Sequence, residues 1–462
     1  MNQTRAYRDN AVAWQCVGRG VLLACAMMCA TTGMAYGETL RQVVETALQS
    51  HPKVRAAAAQ QRATAQDLAQ ARAGYLPTVD LNLADGKERT DSPQTRATSA
   101  ATVDLVRREA GLTLSQKLFD GKATSSEIER QTARASVAAS RLAEAREEIA
   151  LKTAEVYLDV LNNRELVKLA NDNLREHLRT EEKVRTRVQG GVSQKTDLQQ
   201  AQGRTALAKS IVSARAGRLR QVETNFLTVV GKRPGELVEQ ELKPTAMLAG
   251  GSIDISKLTQ SIKLASESAL NSNPSLSAAA AEVSAADASV RGAKAPYYPR
   301  LNLEASANRN RNISGLSGDF NSEALMLVLR WNLFRGGADQ AQERAFVERR
   351  FAAVDAAANT RRDVEERVAV ALQAKATSEE RLESLQDHVK YSAEALLAYQ
   401  QQLELGRRTL LDVLNAENEL FAAKSNLAAG RYENLLNQYT VEAAKGLLVN
   451  SLGITLTDEP AK

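Results

Sequence analysis

The stretch Ala47–Pro52, ALQSHP, recurs in the second half of the chain as ALNSNP in Ala269–Pro274. A second stretch, LFDG in Leu118–Gly121, recurs at a slightly shorter interval as LFRG in Leu333–Gly336. Further glycine, aspartate and alanine positions match in the register that relates Leu118 to Leu333. Self-similarity at a nearly fixed interval indicates an internal duplication. The chain is therefore predicted to consist of two structurally similar halves.

Each half contains one very long stretch without a helix-breaking residue. Residues 123–189 and 338–405 contain neither Gly nor Pro. At about 1.5 Å per residue, a helix over either stretch is roughly 100 Å long, which exceeds a globular domain and is about what crossing a bacterial periplasm requires. Apolar residues at sevenfold spacing, such as Leu382, Val389 and Leu396, indicate a coiled-coil-like seam. An ordinary cytosolic coiled coil is the alternative reading of this pattern.

Between its short first helix and its long helix, each half changes to an alternating pattern. In the first half Val79, Leu81 and Leu83 alternate with polar residues. Such alternation predicts strands with one apolar face, and repeated symmetrically it favours lipid-facing barrel strands over half-buried soluble ones. We predict strands at about 76–90, 108–119, 298–312 and 322–334, with outward-facing loops at 91–107 and 313–321.

Aromatic residues cluster where these strands meet the helices. A girdle of aromatic side chains is typical of the interface between a membrane and water. The predicted interface residues are Tyr75, Phe119, Tyr297, Tyr298, Trp331 and Phe334.

Four strands are too few for a closed barrel, since even small outer-membrane barrels have about eight. Several chains must therefore contribute, and three copies would give twelve strands. The predicted fold class is mainly α with transmembrane β. In it, an internally duplicated, long-helix protomer forms a trimeric 12-stranded outer-membrane β-barrel that continues into a periplasmic α-helical barrel. Predicted regions are a signal peptide (1–37), a first repeat (38–230, long helices about 122–230), a linker (231–255), a second repeat (256–450, long helices about 337–450) and a C-terminal tail (451–462).

The first 37 residues have the layout of a secretory signal peptide. Three arginines precede an uncharged run, and Ala35-Tyr36-Gly37 is a small-x-small cleavage site, so the mature chain is expected to begin at Glu38. The uncharged run is too short to span a bilayer, and no transmembrane helix is expected in the mature chain. The three cysteines, Cys16, Cys25 and Cys29, all lie in this leader, so no disulfide or thiol chemistry is expected.

Charge and motif content argue against nucleic-acid binding and against enzyme chemistry. The net charge is +5, and basic residues are interleaved with acidic ones, as on a solvated helix face. His51, His177 and His388 are scattered and lack the spacing of a metal site. Gly121-Lys122 resembles the end of a phosphate-binding loop, but Gln116 stands where its first glycine belongs. We expect no catalytic, cofactor or metal site, so any transport is passive or driven by partners.

The two LF(D/R)G segments and the run GRRTLLDVLNAE in Gly406–Glu417 resemble the TolC family of outer-membrane factors over essentially the whole mature chain. This resemblance implies a homotrimeric duct in the outer membrane of a Gram-negative bacterium, extending into the periplasm. It also implies docking onto an inner-membrane transporter, an ABC exporter or an RND-type pump, through a periplasmic adaptor (membrane fusion) protein. Outer-membrane lipid is the other implied partner.

The resemblance also implies roles for residues at the periplasmic tip. Asp412 matches an acidic position at the constricted entrance, where the family's second acid corresponds to Asn415. Arg408 matches a basic residue that helps to close the tip, whereas the family's tyrosine corresponds to Leu403. Asp197 is the repeat-mate of Asp412, so a trimer would hold six carboxylates that favour cations. Alternatively, both aspartates are helix N-caps. The tip turns expected to contact the adaptor contain Gly190, Gly191, Gly406 and Arg407.

Three functions remain open at this point. The first is the exit duct of a type I protein secretion system, favoured because Arg408–Asp412 and Glu417–Phe421 resemble the secretion branch of the family. The second is the outer-membrane component of a tripartite drug or metal efflux pump. The third is a structural periplasmic coiled-coil or adaptor protein without a pore. The sequence identifies neither the cargo nor the individual transporter.

Overall fold

The computed structural model describes residues 37–98, 102–238 and 255–454. Most of the predicted signal peptide, the middle of the predicted linker and most of the predicted tail lie outside these residues. The first half contains α1 (Leu40–Ser50), α2 (Pro52–Ala73), β1 (Thr78–Thr90), α3 (Pro93–Thr98), β2 (Val103–Phe119), α4 (Ala123–Gln189) and α5 (Lys195–Val230). The second half contains α6 (Ile255–Ser272), α7 (Pro274–Ala293), β3 (Arg300–Arg311), β4 (Asp319–Arg330), α8 (Ala338–Glu404), α9 (Leu410–Lys445) and α10 (Leu448–Ser451).

The repeated ALQSHP and ALNSNP motifs make the same break between two helices in each half. In the first half the His51 side chain accepts a hydrogen bond from the Lys53 backbone N–H, 3.2 Å away. In the second half the Asn273 side chain accepts one from the Ser275 N–H at 2.9 Å. The proline that follows each cap needs no backbone partner at the first helical position. The same local chemistry thus ends one helix and begins the next in both halves.

The long helices match between the halves in length. Helices α4 and α8 each have 67 residues, and α5 and α9 each have 36. At about 1.5 Å per residue, α4 and α8 are each roughly 100 Å long, as the absence of helix breakers predicts. Each long helix folds back onto the shorter one through a tight turn, so each half contributes one antiparallel helical hairpin.

The four strands form one antiparallel sheet in the order β1-β2-β3-β4, with a bulge in β2 between Lys117 and Phe119. Two strands differ from their predicted bounds. Strand β2 begins at Val103, so the predicted loop 91–107 is partly strand. Strand β4 covers Asp319–Arg330, so Trp331 follows it instead of belonging to it. Charged residues in the upper part of β2 interrupt the apolar alternation on which the prediction depended.

The main core lies where the first half meets the end of α9. Helix α1 buries Leu40, Val43 and Val44 against α4, and Phe226 of α5 joins the same cluster. The chain beside the predicted cleavage site is held here as well, because Glu38 forms a parallel bridge with Leu237. Burying these large aliphatic and aromatic side chains anchors the middle of an otherwise thin, elongated protein.

The helices are arranged side by side in a layer. Helix α4 packs against α2, α5, α7 and α9, whereas α8 packs against α6, α7 and α9. Helix α4 is therefore interior to the chain, and α8 lies at its edge.

Candidate channel entrance and membrane face

The two hairpin turns have the same geometry at repeat-equivalent positions. Gly191 follows α4 with a φ of 72°, and Gly406 follows α8 with a φ of 69°. Open space surrounds the position of a Cβ at both glycines, so the left-handed backbone, not crowding, requires glycine there. Gly190 caps the end of α4, and the backbone N–H of Arg407 donates to the Gln402 carbonyl at 2.8 Å. All four residues predicted for the tip turns therefore lie in these turns.

Asp412 occupies the third position of α9, where it completes a capping box with Thr409. The Asp412 carboxylate accepts hydrogen bonds from the Thr409 backbone N–H at 3.1 Å and from its hydroxyl at 2.8 Å. These bonds, with the hydroxyl bond as the largest cause, hold the pKa of Asp412 below its usual value, and the Arg408 guanidinium adds a smaller effect. Asp412 therefore stays ionised at the exposed tip.

Asp197 has the equivalent position in α5. Its carboxylate accepts a hydrogen bond from the Gln194 backbone N–H at 3.2 Å. The alternative that both aspartates are N-caps needs a correction, because the cap positions are held by Gln194 and Thr409, one turn earlier. The repeat matched the aspartates correctly, but each helix begins sooner after its turn than the alternative assumed.

Arg408 binds within its own hairpin. Its guanidinium carbon lies 4.4 Å from the centroid of the Tyr399 ring, and its Nε donates to Gln402 at 3.1 Å. Its distance to the Asp412 carboxylate is 3.9 Å. The sequence comparison missed Tyr399, because it looked for a tyrosine at Leu403, one helical turn later. Leu403 instead packs against a small apolar cluster formed by Val184, Leu410 and Leu414.

Polar contacts join the first hairpin to the second at two levels near the tip. Arg204 of α5 donates to the side-chain oxygen of Asn415 at 2.9 Å. Higher up, His177 of α4 lies 3.0 Å from the Glu417 carboxylate of α9, and both side chains are buried. Sequence reasoning identified Asn415 but not its partner, and it treated His177 as an isolated residue.

One face of the sheet carries exposed apolar side chains. The in-register row Val79, Leu114, Ala305 and Leu325 crosses all four strands. Several large side chains on this face are more than half exposed, although nothing in a water-soluble chain would favour this. The residues are Val79, Leu81, Leu83, Leu325, Leu327 and Leu329.

Charged residues bound this apolar face on one side. The row Asp85, Arg108, Arg311 and Asp319 crosses the sheet well beyond Val79 along β1. The strand from Val79 to Asp85 spans about 20 Å, close to the height of about 25 Å of the apolar band of an outer-membrane sheet. The face therefore has the dimensions and polarity of a surface that contacts lipid.

Aromatic residues bound the apolar face on the other side. All six predicted aromatics are exposed and lie at or within four residues of the strand ends that adjoin the helices, and Phe334 is 84% exposed. Tyr297 and Trp331 are oriented by polar contacts, since the Tyr297 hydroxyl lies 2.9 Å from Glu343 and the Trp331 indole donates to the Tyr297 carbonyl at 3.3 Å. An apolar ring with a fixed polar tip suits a membrane interface.

The described residues contain neither a membrane-spanning helix nor a cluster of metal ligands. No helix in residues 37–98, 102–238 and 255–454 combines the length and hydropathy of a membrane span. In the same ranges no three His, Cys, Asp or Glu side chains come together as metal ligands would.

The chain matches the model of the family described as outer membrane efflux protein over residues 43–232 and 265–447. The chain belongs to this family. Its location is accordingly the outer membrane, and its broad role is that of an outer-membrane efflux channel. The two matched segments fall in the two halves of the internal repeat.

Relatives of this outer membrane efflux protein have names that refer to both efflux and secretion. The outer membrane efflux protein BepC of Brucella suis is 25% identical, with 91% of this chain and 88% of BepC covered. The outer membrane protein TolC of Vibrio cholerae is 27% identical, with 89% and 92% covered. The alkaline protease secretion protein AprF of Pseudomonas aeruginosa is 25% identical, with 84% and 80% covered. The predicted membership of the TolC family is confirmed.

The fold agrees with that of solved structures of the family. The crystal structure of CusC, described in terms of transmembrane channel formation, matches with a TM-score of 0.74 and 17% identity, covering 89% of this chain and 92% of CusC. The predicted class, a duplicated and mainly helical protomer with strands that form a channel sheet, is confirmed.

Proposed function

We propose that this chain is one protomer of a trimeric duct that serves as the exit of a type I protein secretion system. In this proposal three four-stranded sheets close one twelve-stranded barrel, and the long helices of three copies form a tube below it. The observation that supports closure by further copies is that β1 and β4 are edge strands at opposite ends of the sheet. Exposed strand edges beside an apolar face are normally covered by pairing.

The outer face of α8 supports contact between copies. Residues on α4 and α8 correspond in the register that relates Leu118 to Leu333, and several exposed positions of α8 are large and apolar where α4 has polar residues. An apolar, exposed helix face is expected to be covered in the assembly. The pairs are Ser136 and Phe351, Glu155 and Val370, Glu176 and Tyr391, and Glu182 and Leu397.

A periplasmic entrance at the hairpin tips fits the residues found there. Asp197 and Asp412 lie in the first turns of α5 and α9, and three copies would bring six carboxylates toward one opening. Such a ring favours cations and repels anions while the opening is narrow. The turns that contain Gly190, Gly191 and Gly406 are the most distant from the sheet, which suits docking of a periplasmic adaptor.

Protein secretion is preferred over small-molecule efflux for two reasons. The run from Arg408 to Phe421 is similar to that of the secretion branch, and AprF is named for the secretion of a protease. In this proposal an inner-membrane ABC exporter supplies the energy through the adaptor, and the duct itself is passive.

The second candidate is the outer-membrane component of a tripartite drug or metal efflux pump driven by an RND-type transporter. The family description and the name of BepC favour it. A structural periplasmic coiled-coil protein without a pore does not fit membership of this family.

The test is a comparison of culture supernatants from the parent strain and a strain that lacks this chain. Selective loss of one secreted protein, retained inside the cells, is the expected result. An unchanged supernatant together with increased sensitivity to drugs or metal ions would contradict the secretion proposal and favour efflux. Complementation with the intact chain is the control.

A further inference from the structure

His177 and Glu417 form a buried polar contact between the two helical hairpins. The His177 side chain is 1% exposed and that of Glu417 4% exposed, and Nδ1 of His177 lies 3.0 Å from Oε2 of Glu417. The other carboxylate oxygen accepts a hydrogen bond from the Thr180 hydroxyl at 2.8 Å. Both partners of Glu417 are on α4, one helical turn apart, so α4 holds this carboxylate at two points.

His177 and Glu417 are close neighbours in a buried environment. Nδ1 of His177 and Oε2 of Glu417 lie 3.0 Å apart, but neither atom has a hydrogen bond of good geometry, to the other or to any group among the described residues, so the Thr180 bond is the hydrogen bond that ties Glu417 to α4. Separating α9 from α4 at this level would leave an imidazole and a carboxylate without a partner in an apolar environment. A buried charged group that loses its partner is strongly unfavourable, whereas an exposed one regains water.

A third helix supports this level of the tube. Thr205 of α5 is buried, and its hydroxyl lies 3.4 Å from the His177 carbonyl and 3.1 Å from the Ala201 carbonyl. Helices α4, α5 and α9 therefore meet around His177.

The second half of the repeat does not conserve the residues of this contact. In the register that relates Leu118 to Leu333, His177 corresponds to Ser392 and Glu417 to Gln202. In the proposed trimer, the counterpart of the α4–α9 junction is a junction between α8 of one copy and α5 of the next. Serine and glutamine cannot form an imidazole–carboxylate contact there, so this contact is confined to the α4–α9 junction within one chain.

The links between the hairpins nearer the tip are weaker than the buried contact at Glu417. They consist of the small cluster of Val184, Leu410 and Leu414 and of the exposed contact between Arg204 and Asn415. When the hairpins separate there, water replaces the lost partner of Arg204 and of Asn415, because their contact is exposed.

We propose that the His177–Glu417 contact is a fixed pivot that keeps α4 and α9 joined in each protomer while the entrance opens below it. Movement is then confined to the segment between this level and the tip turns. The inference rests on the proposed function, because it assumes that the tips surround the entrance of a duct.

The test uses a cysteine-free mature chain, since Cys16, Cys25 and Cys29 all lie in the predicted leader. Purified oligomer is studied in planar lipid bilayers. Removing the tip link with Arg204→Ala and Asn415→Ala is expected to raise the single-channel conductance at least twofold. In that background His177→Cys and Glu417→Cys are bridged with a small bifunctional thiol reagent, and the linkage is verified by mass spectrometry.

Bridging the pivot is expected to leave the raised conductance unchanged within about a fifth. Bridging Arg204→Cys to Asn415→Cys in the otherwise native chain is expected to hold the conductance at or below its native value. The pivot is ruled out if bridging positions 177 and 417 returns the conductance to the native value, or if removing the tip link leaves it unchanged. A native oligomer with no conductance would instead refute the proposed duct.

A second measurement does not depend on cross-linking. His177→Ala and Glu417→Ala should each raise the conductance and lower the heat resistance of the oligomer, and the exchange His177→Glu with Glu417→His should recover most of both. The matched control is the exposed pair His388 and Glu419, 2.9 Å apart within the second hairpin. His388→Ala should change neither quantity. Failure of the exchange to recover the conductance, in an oligomer of native heat resistance, would contradict a pivot formed by the contact between residues 177 and 417.

Discussion

Helices α4 and α8 are equivalent in the repeat and equal in length, but they differ greatly in burial. Helix α4 has 20 buried side chains and α8 has 6, although each contains 67 residues. Both bury the same short stripe, Ile149 and Thr153 in α4 and Val364 and Val368 in α8, against the short helices of their own half. Beyond that stripe α4 is covered on several sides and α8 is not.

This difference shows which helix is covered by packing within a single chain and which is not. The duplicated segments form helices of the same length, but the surface residues of each helix suit its own neighbours. Helix α4 has its neighbours within the chain, whereas α8 exposes several large apolar side chains that no neighbour among the described residues covers. The predictions below compare positions in the two halves of the chain, in decreasing order of expected effect.

The largest effect is expected from giving α8 the surface of α4. Val370→Glu combined with Leu397→Glu places a carboxylate where α4 has Glu155 and Glu182. Because a charged face cannot be covered by an apolar neighbour, we expect loss of the oligomer, measured as disappearance of the heat-resistant band from extracted outer membranes. The control, Glu155→Ala with Glu182→Ala on α4, should leave the band intact. Equal loss of the heat-resistant band in both double variants would contradict the assignment of α8 to the interface.

The second prediction compares core positions. Tyr157 is almost completely buried, and its hydroxyl donates to the Glu38 carbonyl at 2.8 Å, whereas its repeat-mate Leu372 is only partly buried. Tyr157→Ala should destabilise the protein by about 3–5 kcal/mol, as is typical of a large buried aromatic residue. Leu372→Ala should cost less than half as much. The measurement is denaturant unfolding in detergent, and a greater loss at Leu372 would reverse the comparison.

The third prediction concerns Glu147, whose repeat-mate is the exposed Arg362. The Glu147 carboxylate accepts hydrogen bonds from the backbone N–H groups of Leu448 and Val449 at 2.9 and 3.0 Å. Burial raises the pKa of Glu147, and these two bonds only partly oppose that effect.

Since the folded protein binds this proton more tightly than the unfolded chain, stability should fall as the pH rises from about 4, the unfolded value, through the raised folded pKa. Glu147→Gln should remove this part of the pH dependence, as measured by unfolding at pH values between 4 and 8. If Glu147→Gln has the same pH profile of stability as the native chain, ionising Glu147 costs no folding free energy and the prediction is wrong. Glu148→Gln, on the exposed neighbour, is the control.

The smallest effect is expected at the tips. Thr409 caps α9 with its hydroxyl, whereas Gln194 occupies the same place before α5, and glutamine is a weaker cap. Thr409→Ala should destabilise the first turn of α9 by about 1 kcal/mol, and Gln194→Ala should have little effect on α5. Hydrogen exchange of the first backbone amides of each helix measures both.

The pH dependence of stability expected from Asp412 has the opposite sign to that expected from Glu147. Because the folded pKa of Asp412 is lowered, its contribution is complete above the unfolded value near 4 and is lost as the pH falls through the folded pKa. Faster exchange at pH 3 than at pH 5, after correction for intrinsic rates, is expected in the native chain but not in Asp412→Asn. Equal protection at both pH values would count against the capping role.

The sequence was sufficient for most of the fold, and the failures have physical causes. The long helices were predicted from missing helix breakers, which is a strong signal over 67 residues. The start of β2 was missed because Asp104, Arg107 and Arg108 lie beyond the apolar band, where a strand needs no apolar face.

The candidate site was predicted less completely. The register of the repeat located Asp197 and Asp412, but Tyr399 and Arg204 were missed because their contacts depend on helix rotation. His177 and Glu417 lie in different halves of the chain, and their repeat-mates, Ser392 and Gln202, are not a histidine–carboxylate pair, so no pattern in the sequence connects them.

The central claim is that other copies of the same chain complete the four-stranded sheet and cover the exposed apolar side chains of α8. The most direct test is native mass spectrometry of the protein extracted from outer membranes in detergent. Our account predicts a complex of three chains, each beginning at Glu38. A monomer or a dimer would contradict it, because four or eight strands from this sheet could not form the proposed twelve-stranded duct.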